Sequence, residues 1–381
     1  MDKIKNILIV CGEPSGDLLA ANLVSAIQKL SPQVKFSGVG GLQLAKTETD
    51  IFYNIDELSV MGFFDVLKKL PKFIKLKEIV LEQIKARKPD CLILVDFSGF
   101  NLRLAKAVNK RIPVIYYVSP QVWASREGRT NSIKKFISMN VVLFKFEEEF
   151  YRQRQIRAAY AGHPLIDLVN PAPIEQDFLE SFGINPAKKI IALLPGSRKQ
   201  EVKLILPLML KAARFINQAV PATQFIIAKA PNLNTQIYLD QCKNRALDLV
   251  IINNRTYDCL NIAQASLVCS GTATLEAAII QKPFVIVYKT NFFNYLLYRP
   301  QVKIPYIGMV NIVAGKKAVP EFIQFDARPK KIAQAIIELL QNPLSAKEMS
   351  QELKIVKNSL GQTGASLRAA SLILDFLEKQ K

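Results

Sequence analysis

Two turns rich in small residues follow apolar, strand-like runs in the second half of the chain, and each opens a helical pattern. They are Pro195-Gly196-Ser197-Arg198 and Ser270-Gly271-Thr272-Ala273-Thr274. Such a turn leaves backbone N–H groups free at a helix N-terminus, where the helix dipole adds positive charge, so it suits phosphate. Arg198 adds a guanidinium for a pyrophosphate, and Glu276 is placed to reach ribose hydroxyls. Either turn alone is equally well an ordinary strand–helix connection, but together they predict a nucleotide diphosphate site.

Carboxylates follow strand-like runs in the first half of the chain. Asp96 comes directly after an apolar run, and Glu13 lies in the small-residue turn after the first such run. A carboxylate at the end of a central parallel strand is partly desolvated, which raises its pKa and makes it a better base. We therefore predict Asp96 as a general base and Glu13 as a second cleft residue. A structural alternative is that Ser15 or Asp17 caps the following helix, and we expect Asn101 to cap the helix after Asp96.

An aromatic loop in the first half carries two arginines. Trp123, the only tryptophan, is followed by Arg126 and Arg129, and this combination could contact a sugar or a phosphate. The alternative is a packed loop, since tryptophan is usually well buried. The chain has a single histidine, His163, which excludes a His-rich metal site. A lone histidine is more often structural than catalytic, but the position of His163 at the end of the first domain keeps a catalytic role open.

The stretch 61–77 combines large apolar side chains with five lysines. This composition suits the headgroup region of an anionic membrane, with the apolar side chains inserted and the lysines on phosphates. The alternative is an ordinary amphipathic helix that packs on the core. We assign to this membrane- or acyl-facing patch, together with Trp123, the residues Met61, Phe63, Phe64, Leu67, Lys68, Lys69, Lys72 and Phe73.

Strand-like runs and helical patterns alternate along the whole chain. Strands that are apolar on both faces predict parallel sheets built from βαβ units. The predicted fold class is α/β, with two Rossmann-like, doubly wound domains of parallel sheet that face a central cleft, and ligands beyond the carboxyl ends of the strands. The boundaries we predict are 1–165 for the N-terminal domain, 166–187 for a linker, 188–345 for the C-terminal nucleotide-binding domain and 346–381 for C-terminal helices that pack back on the N-terminal domain.

Composition limits the partners and the compartment. The chain has 381 residues, and its 51 basic and 32 acidic side chains give a net charge of +19, which predicts an anionic partner. No zinc finger, RNP-type aromatic motif or arginine-rich arm points to nucleic acid. Five cysteines without CxxC spacing indicate reduced thiols in the cytoplasm. No apolar run reaches the roughly 18 residues of a spanning helix, and the first apolar run is predicted to be a strand rather than a signal peptide.

The motifs of this chain resemble those of the lipid A disaccharide synthase family, whose members are inverting glycosyltransferases of the GT-B type. The resemblance runs through nearly the whole chain, with motifs in the family's order. They are GEPSGD (12–17), GVGG (38–41), MGFFDVL (61–67), the Asp96-x-x-Gly-Phe-Asn turn, YVSPQVWA (117–124), GHPL (162–165), LLPGSR (193–198), SGTATLEAA (270–278) and NIVAG (311–315).

The resemblance implies transfer of a diacylated glucosamine from its UDP carrier to a diacylated glucosamine 1-phosphate, which gives a β-1,6-linked disaccharide 1-phosphate and UDP. It makes the N-terminal domain the acceptor-binding one, and it places the enzyme on the inner face of the inner membrane. No cofactor is implied, and because no Asp-x-Asp motif is found, no metal is expected. Oligomeric state stays open.

The predicted roles follow from matching motifs. Asp96 and Glu13 are predicted to be catalytic, and Trp123 is assigned to the acceptor side. The predicted contacts with UDP are Gly196, Ser197, Arg198, Ser270, Gly271, Thr272, Thr274, Glu276 and Asn311. Departures from the family pattern at Ser98, Ser125 and Val310 lie outside the predicted chemistry.

Two other classes of function remain as alternatives. One is another UDP-sugar enzyme of the same fold, such as a UDP-N-acetylglucosamine epimerase or a peptidoglycan-type transferase, against which the stretch 61–77 and the motif 12–17 argue. The other is a basic protein without catalysis that binds a lipid surface or nucleic acid. Binding of UDP separates this second class from the enzymes.

Overall fold

The computed structural model describes residues 6–55, 70–243, 247–302 and 304–380. The strands are β1 (Asn6–Val10), β2 (Lys35–Gly40), β3 (Asp50–Asn54), β4 (Cys91–Val95), β5 (Val114–Tyr117), β6 (Met139–Val142), β7 (Ala158–Tyr160), β8 (Lys189–Leu194), β9 (Thr223–Lys229), β10 (Leu249–Asn253), β11 (Ala265–Cys269), β12 (Phe284–Tyr288) and β13 (Glu321–Ile323).

Helices fill the connections between these strands. The α-helices are α1 (Pro14–Leu30), α2 (Leu42–Ala45), α3 (Leu70–Arg87), α4 (Ser98–Val108), α5 (Thr130–Phe136), α6 (Lys145–Arg152), α7 (Leu165–Leu168), α8 (Gln176–Ser181), α9 (Lys199–Ala219), α10 (Gln236–Cys242), α11 (Thr256–Ile262), α12 (Ala273–Ile280), α13 (Phe292–Tyr298), α14 (Met309–Ala314), α15 (Pro329–Gln341), α16 (Pro343–Ser359) and α17 (Ala365–Glu378). Short 3₁₀ helices lie at Glu127–Arg129 and Arg299–Gln301. No helix in the described ranges combines the length and the apolar character needed to cross a membrane.

The chain forms two compact units, each built on one parallel sheet. The first comprises Met1–Pro164, Gln301–Lys303 and Leu360–Lys381, and the second comprises Leu165–Pro300 and Ile304–Ser359. Strand order is β3-β2-β1-β4-β5-β6-β7 in the first sheet and β10-β9-β8-β11-β12-β13 in the second. The central strands are buried on both faces by helices, which explains their unbroken apolar sequences. The predicted α/β class with two Rossmann-like, doubly wound sheets is confirmed.

In each sheet the strand order reverses beside one central strand. Strand β1 lies between β2 and β4, and β8 lies between β9 and β11, with parallel pairing throughout. Connections leave such a strand pair on opposite faces, so the carboxyl ends flank a crevice where open α/β sheets bind ligands. The Glu13 turn follows β1 and Asp96 follows β4, while the two predicted phosphate turns follow β8 and β11. Glu13, Asp96 and the two predicted phosphate turns therefore stand at the reversal point of their own sheet.

The C-terminal segment divides between the units at residue 359. Helix α17 belongs to the first unit, where it packs on α1 and Arg368 Nε donates to the carbonyl oxygen of Ala161 at 2.9 Å. Helix α16, which we expected on the N-terminal domain, packs instead on α12, α14 and α15 of the second unit. The expected linker is also part of the second unit, since the Ala172 N–H donates to Asp258 Oδ1 at 2.8 Å.

Asp17 lies buried in the first turn of α1, yet its carboxylate caps a different helix. Its Oδ1 accepts the backbone N–H groups of Gly41 at 2.7 Å and Leu44 at 3.2 Å, and its Oδ2 accepts that of Gln43 at 2.8 Å. Gly41 is the N-cap residue of α2 and has no side chain to satisfy these donors, so Asp17 does so from a distance. The alternative in which Asp17 caps α1 is therefore wrong, and the residue ties α1 to α2.

Replacing this carboxylate is expected to destabilise the first unit. Asp17→Ala should lower its free energy of unfolding by about 2–3 kcal/mol, because three backbone donors lose their acceptor. Trp123, the only tryptophan, lies in this unit, so its fluorescence during a urea titration reports the unit's unfolding. Glu78→Ala, on the exposed surface of α3, is the control and should change stability by less than about 0.5 kcal/mol. Equal midpoints for the two variants would contradict this role.

Candidate active site

Asp96 is held in a left-handed turn at the end of β4. Its φ is +47° and that of Phe97 is +48°, a conformation that costs roughly 1–2 kcal/mol for each non-glycine residue. The surrounding structure fixes the turn, since the Asp96 carbonyl oxygen accepts Tyr116 Oη at 2.5 Å and Asn101 Nδ2 at 2.8 Å. The Asp96 N–H donates to the Tyr117 carbonyl oxygen at 3.3 Å. Strain imposed in this way is typical of functional positions.

Asn101 supports this turn and does not cap the next helix, so that prediction is wrong. Helix α4 begins at Ser98 with Phe97 as its N-cap residue, so Asn101 already lies inside the helix. Its buried amide donates to the carbonyl oxygens of both Val95 and Asp96. It therefore closes the end of β4 onto the beginning of α4.

The N-terminus of α1 lies beside Asp96. A Cβ placed on Gly16 would lie 3.7 Å from the Asp96 Cβ, and the positive end of the helix dipole favours a negative charge there. Glu13 is the N-cap residue of α1, is partly exposed and makes no side-chain cap bond. Burial raises the pKa of the Cys11 thiol well above its usual range, and the charges of Asp17 and Asp96 raise it further. The Cys11 thiol therefore stays protonated beside Asp17 and Asp96.

The Phe97 ring fills the space between the two strand ends. It lies so close to Gly12 that a Cβ there would be 2.3 Å from ring atoms, which explains the glycine. Phe97 also packs on Phe100, with ring centroids 5.3 Å apart, and on Phe73 of α3 at 5.9 Å. Phe73 is thus partly buried against the turn of Asp96, whereas Lys72 beside it is exposed.

The remaining predicted members of the membrane- or acyl-facing patch lie outside the described residues. They are Met61, Phe63, Phe64, Leu67, Lys68 and Lys69. In the described part of the stretch, Leu70 and Ile74 expose 38% and 47% of their surface, and Leu76 is fully buried. Helix α3 therefore packs one face on the first unit and leaves apolar and basic side chains outside.

Trp123 is anchored by a buried carboxyl group that the sequence did not reveal. Its Nε1 donates to Glu147 Oε1 at 3.0 Å, and its ring meets Phe146 edge to face at 4.9 Å. Burial raises the pKa of Glu147 to about 7, although the bond from Trp123 opposes this shift. Glu147 lies in a run of three glutamates whose sequence is typical of a solvated helix face. Its burial is therefore evident only from the structure. The contacts match the packed-loop alternative for Trp123.

His163 is buried against Phe144, with ring centroids 5.2 Å apart. Burial lowers its pKa to about 3, so the imidazole is neutral at physiological pH. The expected structural role agrees with this environment.

The first phosphate turn of the second unit is organised by Glu201, a residue that we did not single out. Gly196 has φ of +112°, which favours glycine, and Glu201 Oε2 accepts the backbone N–H groups of Ser197 at 3.2 Å and Arg198 at 3.3 Å. The Arg198 guanidinium donates to Glu201 Oε1 at 3.1 Å while remaining about half exposed. The carboxylate thus satisfies the start of α9 and orients the guanidinium.

The second phosphate turn leads into α12. Gly271 has φ of +156°, and Gly271 and Thr272 are exposed. Thr274 is fully buried, and its hydroxyl donates to the Gly271 carbonyl oxygen at 2.9 Å, so this predicted contact shapes the turn from inside. Ser270 Oγ donates to the Ile307 carbonyl oxygen at 3.2 Å. The exposed part of the turn at the end of β11 is the part that can meet an anion.

Glu276 lies partly buried one turn into α12, with Tyr257 of α11 beside it. Tyr257 Oη donates to Glu276 Oε1 at 3.3 Å. Burial raises the pKa of Glu276 to about 7, and the tyrosine bond opposes that shift. Tyr257 carries no motif in the sequence, so only the packing of α11 on α12 reveals the pair. A carboxyl group in this setting can accept bonds from vicinal hydroxyls.

Asn311 is predicted to contact UDP directly, but in the structure its side chain is bonded to other groups of the protein. The side chain is fully buried, its Nδ2 donates to the Val319 carbonyl oxygen and to Glu321 Oε1, and its Oδ1 accepts the Val319 N–H, each at 2.9 Å. Glu321 also accepts the N–H groups of Ile307 and Gly308. Because Ser270 bonds to Ile307, Asn311 acts on the second phosphate turn through Glu321.

Among residues 6–55, 70–243, 247–302 and 304–380, no group of three or more His, Cys, Asp or Glu side chains is arranged to hold a metal ion. The first unit carries a carboxylate at its sheet reversal, and the second unit carries two turns with backbone N–H groups and a guanidinium at its own reversal. These are the parts that a reaction with a diphosphate leaving group uses.

Comparison with known proteins agrees with this chemistry. The lipid-A-disaccharide synthetase family model matches residues 7–374. A lipid-A-disaccharide synthase of Syntrophus aciditrophicus is 39% identical over 98% of both chains, and one of Coxiella burnetii is 35% identical over 98% of this chain and 99% of its own.

Solved structures establish likeness of fold. The UDP-GlcNAc 2-epimerase from Neisseria meningitidis bound to UDP-GlcNAc superposes with a TM-score of 0.68 over 98% of this chain and 100% of its own, at 15% identity. The Staphylococcus aureus MnaA–UDP structure gives 0.67 at 14% identity, with 98% and 97% covered. At this identity the likeness is one of architecture, and the matches over the full length of the sequence decide the family. The chain belongs to the lipid-A-disaccharide synthetase family of glycosyltransferases.

Proposed function

We propose that the protein transfers a 2,3-diacylglucosamine unit from UDP to 2,3-diacylglucosamine 1-phosphate, forming the β-1,6-linked lipid A disaccharide 1-phosphate and releasing UDP. The observation that carries the proposal is the placement of Asp96 at the reversal of one sheet and of both phosphate turns at the reversal of the other. The epimerase-type alternative is not favoured, because the relatives named above are synthases over their full length.

The acceptor hydroxyl oxygen attacks the anomeric carbon of the donor in this reaction. The new C–O bond forms as the bond to the diphosphate oxygen breaks, and the configuration inverts. UDP leaves with the bonding electron pair, and Asp96 takes the hydroxyl proton. The fixed turn at Asp96 supports this role, because a base must be aligned with the attacking oxygen when the bond forms. Glu13, at the N-terminus of α1, is proposed to assist as a second acidic group.

The leaving diphosphate is stabilised by the second unit. Arg198 offers a guanidinium held by Glu201, and Gly271 and Thr272 offer the exposed backbone of the second turn. Glu276 would accept the ribose hydroxyls, with Tyr257 fixing the carboxyl group. Arg198 and the exposed second turn act where negative charge develops on the diphosphate, which lowers the barrier directly.

We also propose that the enzyme works at an anionic membrane surface on the cytoplasmic side, where its acylated substrates reside. The net charge of +19 and the exposed side chains of Lys72, Ile74 and Lys75 on α3 support this contact. Phe73, by contrast, packs on Phe97 in the turn of the proposed base, so the helix that carries the proposed membrane contact also touches that turn.

Removing the proposed base should abolish transfer but leave the donor site intact. Asp96→Asn keeps the shape of the side chain but cannot take a proton, so we expect turnover to fall by about 10²-fold or more with UDP affinity unchanged. Asp375→Asn, an exposed acid on α17, is the matched control and should transfer normally. Transfer by Asp96→Asn within a few-fold of wild type would remove Asp96 as the base.

The guanidinium of Arg198 should contribute to UDP binding through charge. Arg198→Gln is expected to weaken UDP binding tenfold or more, because a charge-assisted contact is worth about 1.5–3 kcal/mol, and to reduce its salt dependence. Lys211→Gln, an exposed lysine further along α9, should bind UDP like wild type. Titration calorimetry at two salt concentrations measures both variants, and unchanged affinity in Arg198→Gln would exclude this contact.

Glu276 should make UDP affinity depend on pH. Its pKa of about 7 means that it is largely protonated at pH 6, while ribose hydroxyls bind best to the carboxylate. Binding therefore lowers this pKa, and wild-type affinity should rise as pH increases from 6 to 8. The diphosphate titrates as well, so the measured quantity is the affinity ratio of wild type to Glu276→Gln, which cancels the ligand's own protons. We expect that ratio to increase severalfold, and a ratio independent of pH would contradict the ribose contact.

A further inference from the structure

Arg129 is a partly buried guanidinium beside the base, and the described residues offer it no carboxylate at salt-bridge distance. It ends the 3₁₀ helix Glu127–Arg129, and its Nη1 donates to Ser98 Oγ at 3.2 Å. The neighbouring acid Glu127 pairs with Arg154 at 2.6 Å. Removing a charge from water without pairing it with an opposite charge costs free energy, so the partly buried position of Arg129 suggests that it binds an anion.

Two further arginines increase the positive charge at this place. Arg126 is the N-cap residue of the 3₁₀ helix that ends at Arg129, and Arg103 lies on α4, which packs on α5 directly after Arg129. Burial lowers the pKa of Arg129, and the charges of Arg126 and Arg103 lower it further. Arg103 and Arg126 are exposed, and Arg126 has φ of +56°. Its Nε donates to the neutral Gln301 Oε1 at 3.0 Å. Three like charges that repel one another are stabilised when an anion binds among them.

This arginine cluster, Arg103, Arg126 and Arg129, lies next to the catalytic turn. Ser98, which holds Arg129, is two residues beyond Asp96 in the chain. Tyr116 interacts electrostatically with both Asp96 and Arg129, and its hydroxyl donates to the Asp96 carbonyl oxygen. An anion bound by the cluster would therefore have its attached groups within reach of the base.

We propose that the arginine cluster binds the phosphomonoester of the sugar 1-phosphate acceptor and so positions the acceptor hydroxyl toward Asp96. This inference rests on the proposed transfer reaction. The donor diphosphate already has its own two turns in the second unit, and the acceptor phosphate is the other anion of that reaction. A monoester dianion offers oxygens that a guanidinium fork contacts in pairs, so arginine suits it better than lysine.

A binding experiment without lipid tests the site directly. Glucosamine 1-phosphate, inorganic phosphate and glucosamine are titrated into wild type, Arg129→Gln and Arg111→Gln, the last being an exposed arginine whose side chain donates to the Ala107 carbonyl oxygen. We expect Arg129→Gln to bind glucosamine 1-phosphate at least tenfold more weakly and Arg111→Gln to bind it like wild type. Inorganic phosphate that binds as tightly as the sugar phosphate would assign the affinity to the phosphate group alone. Equal affinity for glucosamine 1-phosphate in all three proteins would overturn the proposal.

Kinetics separate this role from a general loss of structure. For Arg129→Gln we expect a tenfold or larger increase in the KM for the acceptor, with the KM for the UDP-linked donor unchanged. Arg129→Lys, which keeps the charge but not the fork, should recover part of the acceptor affinity. An increased KM for the donor alone, or no change in either KM, would contradict the site. If wild type binds glucosamine 1-phosphate through Arg129 but does not transfer the sugar, the proposed function fails and the anion site stands.

Discussion

Both units depend on one constraint of parallel sheets, which is that strand order must reverse somewhere if helices are to cover both faces. At that reversal two neighbouring strands send their connections in opposite directions, and their ends cannot be covered by the same helix. In the first sheet these strands are β1 and β4, and in the second they are β8 and β11. Every proposed catalytic or diphosphate-binding side chain follows one of these four strands directly or acts on a turn that does.

The turns at these positions are held by contacts from elsewhere in the chain. Asp96 adopts a left-handed backbone, and Tyr116 and Asn101 hold the turn by bonding to its carbonyl oxygen. Arg198 and its turn are ordered by Glu201, and the Ser270 turn is tied through residue 307 to Glu321 and Asn311. These turns are thus held in place by side chains other than the proposed catalytic and diphosphate-binding groups.

Sequence reasoning recovered most of the strands, the two parallel sheets and the residues at the strand ends, because these are local patterns of apolar runs and turn chemistry. It missed the short strands β3, β7 and β13, which lie at the edges of the sheets. It failed where a partner comes from a distant segment. Asp17 caps α2 across 24 residues, and Tyr257 meets Glu276 only when α11 and α12 pack. Glu147 lies in a charged run that gives no sign of burial, yet its carboxyl group holds the tryptophan. Such pairings depend on tertiary contacts, which a single sequence does not encode by spacing.

The most direct test of the account is to identify the product formed from UDP-2,3-diacylglucosamine and 2,3-diacylglucosamine 1-phosphate. The account predicts one disaccharide 1-phosphate and one UDP per turnover, with a proton coupling at the new anomeric carbon that is diagnostic of the β configuration. An epimerised sugar nucleotide, an α-linked product or UDP released without a disaccharide would contradict direct displacement at the anomeric carbon.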